Sequence, residues 1–122
     1  MIIKMDQVNF VQLVKKVVTE DTIKSLEEVI TNPPGRSPQK RLVDLSNWFK
    51  GLSEEDKERL RELIKDSANS AVFGFLCAID GVRSIDNSGD KGRLLLYYEK
   101  NGDRVLLNDP DQDFLHDIYN SL

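Results

Sequence analysis

The sequence predicts an α+β fold that is mostly α: about four amino-terminal helices, one antiparallel β-hairpin and one short carboxy-terminal helix. Three observations predict it. Apolar residues recur at intervals of three and four from Phe10 to Ile79, the spacing of a helix face. Asn101-Gly102 lies between two apolar runs and is the strongest short hairpin signal, since a type I′ turn needs positive φ at both central positions. After Asp109-Pro110, helical spacing resumes at Phe114, Leu115, Ile118 and Tyr119. With 122 residues the chain reads as a single domain spanning 1–122, long enough for one core without disulfides or metals and too short for two.

The first helix is expected over Asp6 to Val18, with Phe10, Leu13, Val14, Val17 and Val18 on its apolar side. A second runs from Asp21 to Thr31 and ends at Asn32-Pro33-Pro34-Gly35, where prolines remove amide donors and disfavour helix in the preceding residue. Ser37-Pro38 reads as N-cap and first residue of a third helix reaching Lys50. Ser53 followed by Glu54, Glu55 and Asp56 starts the fourth, with a hydroxyl to accept an orphan amide and acids at the positive end of the dipole. Unbroken to Ile79 it would be roughly 39 Å long, so a bend between Ala68 and Gly74 is expected, and its second half should be buried on every side.

Arg83 to Lys91 reads as an exposed loop rich in turn residues. The strands are expected over Arg93 to Lys100 and Asp103 to Asn108. A two-residue turn pairs Lys100 with Asp103, Glu99 with Arg104, Tyr98 with Val105, Tyr97 with Leu106 and Leu96 with Leu107, which sets opposite charges across the two pairs nearest the turn. Both faces of this ribbon are apolar, so helices or another chain must cover them. Asp109-Pro110-Asp111 is expected to open the last helix, docking Phe114, Leu115, Ile118 and Tyr119 while His116 and Asp117 turn away.

The net charge of −4 is a matter of location. Residues 1 to 66 carry 12 basic and 12 acidic side chains, and residues 67 to 122 carry 5 and 9. The acidic half would repel a phosphate backbone, so no nucleic acid partner is expected and a basic protein surface is the natural complement. The longest apolar run, Ala71 to Ile79, is nine residues, against about 20 for a membrane span, so no membrane partner is expected. The start, MIIKMDQVNF, has no long apolar stretch or small-residue cleavage site like those of a secretory signal. A cytoplasmic location is the expectation. The one cysteine, Cys77, has no partner for an intramolecular disulfide and reads as a buried structural thiol.

Catalytic motifs are absent from view, and no catalytic residue, metal or cofactor is expected. His116 has no nucleophile tied to it by spacing and reads as a solvated polar position. The acidic runs at Asp86–Asp90 and Asp109–Asp113 both fail the calcium-loop template: the sixth position, which requires glycine, is Lys91 or Phe114, and the twelfth, which requires glutamate, is Tyr97 or Asn120. They read instead as a turn-rich loop and a helix cap. Helices three and four, joined around Gly51, raise a helix-turn-helix alternative, but a recognition helix beginning Glu54-Glu55-Asp56 would meet phosphates with like charge.

What remains is a surface for a partner. If the last helix covers the Leu96 face, then Leu95, Tyr97 and Leu106 form an open apolar ribbon suited to another protein or a second copy of the chain. The candidate partner-binding residues are Trp48, Asp86, Asp90, Tyr97, Asp109, Asp111 and Asp113: the aspartates attract a basic surface and an aromatic supplies the buried contact. The chain resembles, in small size and acidity, the immunity proteins with which bacteria neutralise a cognate toxin. The reading is therefore a small acidic cytoplasmic protein-interaction domain, of an immunity or regulatory type, which occludes a partner. The alternative is a small enzyme or ligand-binding domain with a pocket between the hairpin and the central helix, using Tyr98, Asp80 or His116.

Overall fold

A computed structural model describes residues 4–122; residues 1–3, the first part of the stretch read above for a secretory signal, lie outside the described residues. The elements are α1 (Gln7–Val14), a π-helical segment (Lys15–Glu20), α2 (Asp21–Thr31), α3 (Lys40–Lys50), α4 (Glu54–Ile79), β1 (Tyr97–Lys100), β2 (Asp103–Leu106) and α5 (Leu115–Asn120). The mostly helical α+β architecture with one hairpin and a short final helix is thus as the sequence predicts. Asp6 caps α1 by accepting the Asn9 amide at 2.8 Å. Ser53 caps α4 by accepting the Asp56 amide at 3.1 Å.

The first two helices are not separate. The residues expected to divide them form a π-helical turn, so one helical run extends from residue 7 to residue 31. No glycine or proline interrupts it. A π turn inserts one residue into the α-helical phase and rotates the succeeding helix by about 100°. Thr19, eight positions after Val11, thereby returns to the side of Val11, and both are buried. The Thr19 hydroxyl reaches the Tyr119 hydroxyl at 2.8 Å. Tyr119 donates in turn to Asn69 Oδ1 at 2.8 Å, which also accepts from Lys15 Nζ at 2.6 Å. The π turn is the geometry that lets Lys15 and Thr19 serve one network joining α1, α4 and α5.

The core is the cluster of Val11, Leu76, Leu115 and Tyr119, with Val72, Phe73, Ile79 and Leu96 packed against it. It is therefore built from α1, the second half of α4, α5 and the base of the hairpin, and not from the four helices together. α2 contributes no buried residue. α4 is a single helix without the expected break, and its second half is not buried on every side, since Phe75 is 66% exposed. α3 begins two residues later than Ser37-Pro38 implies, with Gln39 at its N-cap.

The hairpin has the expected register: Tyr97 faces Leu106, Tyr98 faces Val105, Glu99 faces Arg104 and Lys100 faces Asp103. Asn101 and Gly102 have φ of 54° and 85°, the type I′ signature. Both strands are shorter than expected because a side chain takes over the pairing at their base. Asn108 Oδ1 accepts the Leu96 amide at 2.9 Å, and its Nδ2 donates to Leu94 O at 2.8 Å and to Ile79 O at 2.9 Å. This amide fixes the hairpin on the end of α4. Leu96 and Leu107 face inward, while Leu95 and Tyr97 stay exposed.

The chain has an accessible surface of 9002 Å². A compact monomer of 13.9 kDa has about 6,700 Å². The excess, roughly 2,300 Å², goes with how little of the chain is closed on the core: α2 buries no residue.

Replacing Asn108 by alanine leaves three part-buried backbone groups without this partner, and a loss of about 2 kcal/mol is expected, measured by urea unfolding.

Candidate functional site

α4 ends at Asp80, and an acid at the negative end of a helix dipole is unfavourable unless something else holds it. Here the carboxylate is 1% exposed. Its Oδ2 accepts the backbone amide of His116 at 2.8 Å and the imidazole Nδ1–H at 2.6 Å. α5 has no side-chain cap of its own, so Asp80 caps it from across the fold. The imidazole lies edge-on to Phe73 and stacks on Phe114, with centroids 5.8 and 5.5 Å away. Its Nε2 is 3.3 Å from Asp117. His116 therefore turns inward, against the expectation that it faces solvent. Among the described residues no hydroxyl or thiol hydrogen-bonds to it, and its ring nitrogens face only Asp80 and Asp117.

Beside this junction lies a cavity of about 330 Å³, walled by Asp80, Arg83, Asp86, Lys91, Arg93 and Asn108. It sits where the alternative reading expects a pocket, although Tyr98 is not in its wall. Three cations line it, so the acidic half is locally of mixed charge. Asp86 is occupied in holding the loop: Oδ1 accepts the Ser88 amide and hydroxyl at 3.0 and 2.7 Å, and Oδ2 accepts the Gly92 amide at 3.0 Å. The bonds from Ser88, then that from Gly92, hold its pKa below the ordinary 3.8.

The other candidate residues fall into two places. Asp90, Asp111 and Asp113 are exposed. Asp109 accepts the Asp111 amide at 2.9 Å, a local turn that ends before α5 begins, so the 109–113 stretch is not the helix cap it resembles. Tyr97 is 42% exposed on the open hairpin face, with the Arg104 guanidinium 3.9 Å from its ring centroid. Trp48, 53% exposed, projects from α3, which packs on α2 and stands apart from the hairpin and loops. Among the described residues no hydrogen bond, ion pair or shared cavity joins Tyr97 to Asp90, Asp111 or Asp113, and Trp48 lies on a different element again.

Sequence reasoning missed the role of Asp80 and the network at Tyr119. One signal was available for the first: an aspartate ending an apolar helix needs a donor from elsewhere. Among the described residues no three potential ligands converge on a metal site, and no helix is long and apolar enough to cross a membrane. No family model, curated protein or solved structure matches the chain.

Because the folded pKa of Asp86 is depressed, its hold on the loop is complete above the ordinary aspartate value and is lost as pH falls through the folded one. Amide exchange at Ser88 and Gly92, corrected for intrinsic rates, is expected to rise in that acidic window. In Asp86→Ala it should be fast throughout.

Proposed function

We propose that this chain is a small protein-interaction domain, acting in the cytoplasm, that docks a basic protein surface through its carboxy-terminal half. The observation that carries the reading is the uncovered hairpin face. Leu95 and Tyr97 remain exposed on it although the opposite face, at Leu96 and Leu107, is packed against the core. Two-stranded ribbons gain stability by covering apolar faces, and an aromatic left exposed on an apolar face is a common character of an interface.

Tyr97 is the anchor. Its ring is held under Arg104, so little side-chain freedom is lost on binding, and tyrosine is enriched among the residues that dominate interface energies. Asp90, Asp111 and Asp113 supply free carboxylates that raise the association rate with a basic partner, an effect that weakens with salt. Asp86 and Asp109 act indirectly by shaping the loops. The mechanism is occlusion: the bound domain covers the partner's basic surface, as an immunity or regulatory protein does. Trp48 is a further exposed aromatic outside this face.

A second reading is favoured by one observation. Arg83, Lys91 and Arg93 line the 330 Å³ cavity, and among the described residues none of them is in an ion pair. A small anion would suit them. Inorganic phosphate raising the melting temperature of the wild type, and not of an Arg83→Ala, Arg93→Ala variant, would support this reading. The absence of any rise would dismiss it.

The main test is affinity capture from native cell extract at low and high salt, run in parallel with the wild type, with Tyr97→Ala and with a triple variant carrying Asp90→Lys, Asp111→Lys and Asp113→Lys. A basic protein retained by the wild type at low salt is expected to be lost with the triple variant. Tyr97→Ala should weaken binding by about 2 kcal/mol, roughly 30-fold. Equal capture by all three proteins, or no captured protein, would reject the proposal.

A further inference from the structure

α4 carries two apolar stripes on opposite sides. One, through Val72, Phe73 and Leu76, enters the core. The other runs through Leu60, Ile64, Ser67, Ala71, Phe75 and Ala78, spaced by four, three, four, four and three residues. Such spacing keeps a row nearly straight along the helix. No charged residue falls in this row over roughly 27 Å of helix, yet Phe75 is 66% exposed and Leu63, at its edge, is 62% exposed.

The row contains both halves of a fit. Phe75 projects as a knob. A groove of about 460 Å³ opens between α2 and α4, with Leu26 on one wall and Leu60, Leu63 and Ile64 on the other. Phe75 and Ile64 are eleven positions apart, about 17 Å along the same helix face. A two-fold axis midway between them, near residues 69 and 70, sets Phe75 of each copy against the groove of the other. It also sets Ala71 against Ala68, where small side chains let two helices approach closely. One helix that bears a knob and its hole on one face is self-complementary under a two-fold axis, the symmetry of most homodimers.

We infer that the chain forms a homodimer in which the outward stripe of α4 packs antiparallel on that of a second copy, Phe75 seated in the groove between α2 and α4. This goes beyond the proposed function and does not rest on it: the dimer uses α4 and leaves the Tyr97 face free.

Sedimentation equilibrium of the full chain across the micromolar range is expected to give twice the chain mass of 13.9 kDa. Phe75→Glu should give the chain mass while keeping the helical circular dichroism of the wild type, since the side chain it replaces is exposed. In a Cys77→Ser background, Ala71→Cys should cross-link two copies on mild oxidation, and the single cysteine placed instead at Glu55 should not. The triple aspartate variant should remain dimeric, and Phe75→Glu should retain any partner captured through Tyr97, which separates failure of this inference from failure of the hairpin reading. A monomeric wild type, a dimer unaffected by Phe75→Glu, or a dimer abolished by Tyr97→Ala would each overturn it.

Discussion

The carboxylate of Asp80 is the constraint on which the rest of the structure depends. It stands at the end of α4, buried, and reaches the first turn of α5 through the backbone amide and imidazole of His116. A helix of only six residues is unstable alone, and this one has no cap of its own. Without the bond from Asp80, a buried charge would lack its donors and α5 would lack a start. With it, Leu115 and Tyr119 are delivered to Leu76 and Val11. The other end of α5 is then held at the Tyr119 hydroxyl by Thr19 and Asn69, which fixes the phase of the first helical run.

That arrangement decides which surfaces are spent on folding and which stay open. α1, the second half of α4, α5 and the Leu96 face of the hairpin close on one another. Asn108 locks the hairpin base to Ile79 in the same step. The Tyr97 face and the outward stripe of α4 are left over. α2 is amphipathic and still buries no residue, because the core it would join is already complete on the far side of α4. A chain of this size has more apolar surface than its single small core can use, and the interactions proposed above draw on that remainder.

The parts legible in the sequence are those whose cause is local. Asn101-Gly102 specifies its own turn, and through it the pairing of Tyr97 with Leu106. Ser53 and the acids after it specify the start of α4, and helical spacing specifies the four helical stretches and the last one. The π turn was illegible because its cause is Tyr119, one hundred residues from Thr19. Asp109-Pro110-Asp111 has the composition of a helix start, yet the acceptor that caps α5 comes from Asp80 and the local residues fold into a turn of their own. Within the hairpin the conditional reading holds only in part: with Leu96 covered, Leu95 and Tyr97 are exposed, but Leu106 on the same face is half-buried, and Leu94 and Tyr98 on the Leu96 face are exposed as well. The separation of Trp48 from the aspartates was beyond reach, since it depends on α3 packing against α2.

The most direct measurement is native-state hydrogen exchange at the His116 amide. The end of a six-residue terminal helix ordinarily frays and exchanges by local opening. Capped by the buried Asp80, the His116 amide is predicted to exchange as slowly as that of Leu76 in the core, through global unfolding. Exchange as fast as at the exposed amides of residues 89 to 91 would contradict the claim that this one carboxylate organises the fold.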